Sequence, residues 1–165
     1  MERFRIMPAH HTTIIRPVTI RNIRRSDGAA FIDLINALAD FEKLKRPSPA
    51  ARKRLLRHAF GNNRKFDTFL ACVQKKPVGY AIIFETYSSF RAQPTLYLED
   101  IFVLPEYRAM GIGLQLFSRC KSEAIKRKCG RFEWMVLDWN TNAIRFYERR
   151  KAMQMKEWLL YRIEL

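Results

Sequence analysis

The chain has 165 residues, 48% hydrophobic and 28% charged, with six glycines and seven prolines; this suits one globular domain and excludes a fibrous or low-complexity protein. No apolar run approaches the roughly eighteen residues of a membrane span, and the N-terminus lacks the apolar centre of a secretory signal, so a soluble, cytoplasmic protein is expected. The formal net charge of +15 attracts anions, but its basic clusters (RNIRR, ARKRLLR, KRKCGR, ERRK) are scattered, so a nucleic-acid partner is permitted and not favoured.

Residues 1–17 show no period and are expected to form an N-terminal extension, disordered or lying upstream of a domain over 18–165. VTIRNI alternates like a short strand. Ser26 or Asp27 then caps a helix whose apolar face is Phe31, Leu34, Ile35 and Leu38. Ser48 is an N-cap with Pro49 at the first helical position, and Gly61 stops that second helix. FDTFLACVQ and VGYAIIFETYS form a hairpin turned at KKP, and TLYLEDIFV is a third long strand. A helix follows, with Ile112, Leu116, Phe117, Cys120 and Ala124 on its apolar face and Gly130 at its end. FEWMVLD reads as a strand, 140–150 as a short helix, and EWLLYRIEL as a closing strand. The fold class is therefore α/β, one mixed and mostly antiparallel sheet flanked by helices. The three cysteines, Cys72, Cys120 and Cys129, lie in apolar or periodic stretches without metal-ligand spacing. They read as reduced structural thiols, and no metal site is expected.

Gly111 and Gly113 stand between the third strand and the helix. First-turn amides of a helix have no internal partner, and the dipole adds positive potential there, so bare backbone at this point suits a phosphate. A Walker A loop is excluded because no lysine follows Gly113, and a dinucleotide fingerprint because Leu116 occupies the place of its last small residue. By spacing alone, an ordinary turn with tight helix packing explains the pair equally well.

Arg108-x-x-Gly111-x-Gly113 after a strand resembles the acetyl-coenzyme A loop of the GNAT superfamily of N-acetyltransferases. LYLEDIFVLPEYRAMGIG, VLDWN, AIRFYERR and LADFEKL resemble its diamine (spermidine/spermine) acetyltransferase branch and bacterial relatives. The resemblance implies an acetyl-coenzyme A-dependent transfer to a primary amine of a small molecule (a diamine, a polyamine or a lysine-like compound). Protein lysine or N-terminal acetylation is the alternative, and a non-catalytic basic module a lesser one. It implies a V-shaped gap between Thr95–Val103 and Phe132–Asp138. Ile101, Phe102 and Val103 then contact the pantetheine arm. The amides of Arg108, Ala109, Met110, Gly111, Ile112, Gly113 and Leu114 hold the pyrophosphate. Asn140 and Ala143 touch the cofactor. It further implies Tyr147 as general acid, though a tyrosine beside Phe146 on an amphipathic helix is otherwise a core residue. Glu99 takes the amine's proton through water, while Glu42, Phe41, Asp100 and Trp158 form the substrate site. Adjacent strand residues point to opposite faces, so only one of Glu99 and Asp100 is expected to line that site directly. Trp139 reads as core, and the family implies a homodimer.

Three positions depart from the family's pattern. Ala109 stands where glycine is common, which is compatible with a negative φ. Lys151 stands at another glycine position and must avoid or bear the left-handed region. MQMKEW replaces an acidic segment, which favours a less highly charged amine than a polyamine.

Overall fold

The computed structural model describes residues 17–165; the expected N-terminal extension lies, but for Pro17, outside the described residues. Contacts divide the chain into two units, Met1–Glu133 and Trp134–Leu165.

The first unit is built on a mixed five-stranded sheet in the order β1 (Val18–Asn22), β2 (Asp67–Val73), β3 (Lys76–Ser88), β4 (Gln93–Val103), β5 (Arg131–Trp134). Strands β1 to β4 pair antiparallel. The continuous apolar runs of β2 and β3 are buried at successive positions, because helices cover both faces. Phe31 and Leu34 of α1 (Gly28–Phe41) and Ala59 of α2 (Pro49–Phe60) share a core with Leu70, Cys72, Tyr80, Ile82 and Phe102 on one face. On the other, α3 (Ile112–Lys126) buries Ile112, Leu116, Phe117, Cys120 and Ala124, the stripe its spacing predicts. Arg119 of α3 lies 4.5 Å over the Phe69 ring, and Phe117 packs on Phe132 with ring centroids 5.3 Å apart. Ser48 caps α2 through a hydrogen bond accepted from the Ala51 amide, with Pro49 opening the helix and Gly61 at its end, as the sequence predicts. All three cysteines are free thiols.

Several expectations are corrected. Asp27 sits at the N-cap of α1, but its carboxylate does not cap it. It is drawn back to the Arg21 guanidinium, at 2.7 and 2.8 Å, and to the Arg24 amide. The β2–β3 turn is Gln74–Lys75, both left-handed as a type I′ hairpin requires, rather than KKP. Lys76 and Pro77 already belong to β3, with Pro77 opposite Cys72 where the register slips; such irregular positions are where a sheet tolerates proline. Helix α3 ends at Lys126, ahead of Gly130, because Lys128 turns left-handed at φ +56° and closes a Schellman motif, the Cys129 amide donating to the Ala124 carbonyl at 2.9 Å and the Lys128 amide to that of Ile125 at 3.0 Å.

In the second unit, α4 (Thr141–Glu148) forms inside the predicted span. The FEWMVLD strand keeps only its first three residues in β5, and Met135, Val136 and Leu137 are exposed. EWLLYRIEL forms no strand: residues 157–165 are irregular and their apolar side chains exposed. Strand propensity needs a paired edge to act on, and this segment pairs with no strand among the described residues.

Candidate active site

Beyond β4, a short 3-10 turn (Pro105–Tyr107) brings the chain to Arg108 and the start of α3. Gly111 is the N-cap, at φ +74°, and no side chain caps the helix. Gly113 is different: it lies within the helix, where any residue fits, and where glycine costs roughly 0.5–1 kcal/mol relative to alanine. A Cβ added at either glycine would meet nothing within 4 Å. Tight helix packing therefore does not explain the pair, since the missing side chains face open space. The main chain is left open at the positive end of a fifteen-residue helix, an arrangement that suits an anion.

Arg108 does not reach outward from this loop. Its Nε donates to the Val103 carbonyl at 2.9 Å, and its guanidinium lies 4.5 Å over Phe41 and 5.5 Å over Phe102. Burial lowers its pKa. The side chain thus clamps the loop to the end of β4. Ala109 adopts φ +61°, which overturns the expected negative value. The loop imposes the left-handed turn at a cost of about 1 kcal/mol. Met110 and Leu114 are exposed, while Ile112 is anchored in the core. Upstream, Ile101, Phe102 and Val103 pair with Ala81, Tyr80 and Gly79 of β3. Four-residue β5 cannot accompany eleven-residue β4 along its whole length.

The acidic residues hold the main surprise. Ile82 of β3 faces Asp100 and Ile83 faces Leu98, so Glu99 is the extra residue of a β-bulge. A bulge suspends the strict alternation of a strand. Glu99 and Asp100 consequently line one cavity of about 580 Å³, walled by Ile35, Leu55, Phe66 and Phe84 among others. The expectation that these neighbours are turned to opposite faces of the strand is thereby corrected. The hydroxyl of Tyr80, a fully buried residue, donates to Asp100 Oδ2 at 3.1 Å. Burial, then the neighbouring Glu99 charge, push Asp100 up to about 6, and Glu42 adds to this against the lowering effect of the Tyr80 hydrogen bond. Glu42 is itself raised by burial, and Phe41 packs on Phe102 with centroids 6.3 Å apart. Neither Phe41 nor Glu42 is among the residues lining this cavity. Sequence reasoning missed Tyr80, whose place in an apolar strand run gave no sign of a polar task.

In the second unit, Asn140 caps α4 by accepting a hydrogen bond from the Ala143 amide at 3.2 Å. Tyr147 is 8% exposed, its ring 4.9 Å from Trp134 and 5.3 Å from Phe146. Lys151 bears the left-handed conformation, at φ +60°. Trp139 is half-exposed rather than core, and Trp158 is exposed in the irregular C-terminal segment.

The Acetyltransferase (GNAT) family model matches residues 31–152. The chain belongs to the GNAT family. The thialysine N-epsilon-acetyltransferase of Mus musculus is 33% identical over 156 residues, covering 88% of this chain and 91% of that one. The L-ornithine N5-acetyltransferase of Arabidopsis thaliana is 45% identical over 85 residues, covering 52% of this chain and 37% of that one. The spermidine/spermine N(1)-acetyltransferase-like protein 1 of Homo sapiens is 33% identical over 153 residues, covering 87% of this chain and 22% of that one. Among solved structures, a probable acetyltransferase superposes with TM-score 0.78 at 18% identity, covering 89% of this chain and 97% of that one, which speaks to the fold.

As a GNAT member the chain is an N-acetyltransferase, and the acetyl donor of GNAT acetyltransferases is acetyl-coenzyme A. The loop fits that donor: glycines facing open space, uncapped amides and a helix N-terminus suit its diphosphate.

Proposed function

We propose that this N-acetyltransferase acts on a primary amine of a small molecule, with the cavity of Glu99 and Asp100 as the acceptor site. The observation that carries this is the bulge in β4, which turns two consecutive carboxylates into one largely apolar cavity. Such a cavity suits an aliphatic cation of small-molecule size. The names of the thialysine, ornithine and spermidine/spermine relatives point the same way.

In this proposal the amides of Arg108 to Leu114 hold the diphosphate, Ile101 to Val103 hold the pantetheine arm, and Asn140 and Ala143 add contacts. Acetyl-coenzyme A supplies an acyl carbon whose bond to sulfur breaks as the bond to nitrogen forms. The chain's own groups manage the protons. An alkyl ammonium of pKa ~10 must lose one before it attacks, and the carboxylates of Glu99 and Asp100 are the acceptors within the cavity. The Tyr147 hydroxyl returns a proton to the departing sulfur. A main-chain amide of Ile101–Val103 faces the acyl oxygen, a fixed dipole of the kind typically worth about 3–4 kcal/mol.

The exposed apolar residues of 158–165 are covered by a second copy, which makes the enzyme a homodimer; sedimentation of the full chain against a chain ending at 157 tests this. Three free thiols suit a reducing compartment, so the cytoplasm is the proposed location. The test of function is coenzyme A release across diamines, polyamines, lysine-like amines and peptides. Release with small amines supports the assignment. Release with peptides alone moves it to a protein acetyltransferase, and release with none overturns it.

A further inference from the structure

The cavity that holds Glu99 and Asp100 is lined by one cation as well, Lys65. Lys65 lies in the connection between α2 and β2, where its amide donates to the His58 carbonyl at 3.1 Å. The next residue, Phe66, packs against the core. The backbone under Lys65 is therefore held from both sides. No ion pair joins Lys65 to Glu99 or Asp100 among the described residues. The charges that act on Asp100 are those of Glu99 and Glu42. The cation thus makes no direct pair with the acids, and the apolar side chains of Leu55, Phe66 and Phe84 complete the wall.

A cavity with carboxylates at one place and an ammonium at another discriminates between ligands. A diamine or polyamine is cationic along its length, so seating it along the wall sets an ammonium against Lys65. A ligand with an amine at one end and a carboxylate at the other satisfies both. We propose that Lys65 is the specificity residue of the acceptor site, and that it receives the carboxylate of an amino-acid acceptor whose side-chain amine lies against Glu99 and Asp100. This rests on the assignment of the cavity as the acceptor site and selects among the amines which that assignment admits.

The experiment compares kcat/KM for two matched pairs, lysine with 1,5-diaminopentane and ornithine with 1,4-diaminobutane. Within each pair the molecules differ only by the carboxylate. The parent enzyme favours the amino acid by about ten-fold or more, the scale of one charge-assisted hydrogen bond. Lys65→Met abolishes that preference by lowering the amino-acid value alone. Lys65→Glu inverts it, and Lys65→Arg retains it. Thermal melts establish that each variant is folded, as the exposed position of Lys65 leads one to expect. A parent that favours the diamine, or substitutions that depress both members of a pair equally, overturns the role of Lys65 while leaving the acceptor site in place. A parent that acetylates no amine of the panel overturns the acceptor site and this inference together.

Discussion

The proposed donor loop and the proposed acceptor cavity offer their ligands opposite kinds of surface. Between Arg108 and Leu114 that surface is main chain, and the informative feature is the absence of side chains at Gly111 and Gly113. In the cavity it is side chain, with Glu99, Asp100 and Lys65 among apolar walls. The difference follows from the ligands. A diphosphate is the same in every acetyl transfer, and backbone amides bind it without regard to what else varies. An acceptor amine differs from enzyme to enzyme, and charged side chains are the parts that substitution can move.

The largest way to sharpen this contrast lies outside both regions. Tyr147→Phe removes the proposed proton donor and lowers kcat by about 10²–10⁴-fold. Affinity for coenzyme A, measured by calorimetry, stays close to that of the parent, because neither binding surface is touched. Unchanged turnover leaves Tyr147 as a core residue packed on Trp134 and Phe146.

Next in size, Gly113→Ala is expected to drive two quantities in opposite directions. Its backbone is helical and its surroundings empty, so alanine stabilises the fold by roughly 0.5–1 kcal/mol. The same methyl group stands where the diphosphate approaches, and coenzyme A binding weakens by about ten-fold or more, a loss of at least ~1.4 kcal/mol. A variant that gains stability and keeps its affinity breaks the main-chain account of the loop.

The cavity makes a different kind of prediction, because its groups titrate. Asp100 has a folded pKa of about 6, above its usual value of 3.8. The proton is then bound more tightly in the folded state, so the ionised form opposes folding, by on the order of 2 kcal/mol once the pH exceeds about 6. Below about pH 4 both states are protonated and the cost disappears. Asp100→Asn therefore raises the melting temperature at pH 7.5 relative to the parent, and much less at pH 4. The same substitution removes an inflection near pH 6 from the pH profile of kcat/KM, where the parent gains activity as the carboxylate ionises. If the stability gain is equal at both pH values, Asp100 is not the group that titrates.

The smallest effect belongs to the loop's one strained side chain. Ala109→Gly relieves the left-handed conformation at φ +61° and stabilises the fold by about 0.5–1 kcal/mol, against the greater freedom glycine gives the unfolded chain. Chemical denaturation reads this directly, and coenzyme A affinity is expected to change little.

The two regions also differed in how much of them the sequence disclosed. Gly111 was legible as the entrance to α3 because glycine at a helix start carries a conformational meaning, which its φ of +74° bears out. Ser48 was legible as a cap because a short polar side chain serves the amides two or three residues on. The shared facing of Glu99 and Asp100 was not legible. Alternation along a strand predicts opposite faces, and only the register against Ile82 and Ile83 shows the bulge. Tyr80 and Lys65 were invisible as site residues, since what they face is set by chain segments about twenty to thirty-five residues away.

The sequence by itself determined the apolar stripes of α1 and α3, the Ser48 cap of α2 and the glycine entrance to α3, because these depend on neighbours within one or two turns. Tertiary structure decided which charges share a cavity, where Arg108 points, and that EWLLYRIEL forms no strand in this chain. Those outcomes depend on pairing and burial between distant segments, where free energy comes from partners that no local pattern names.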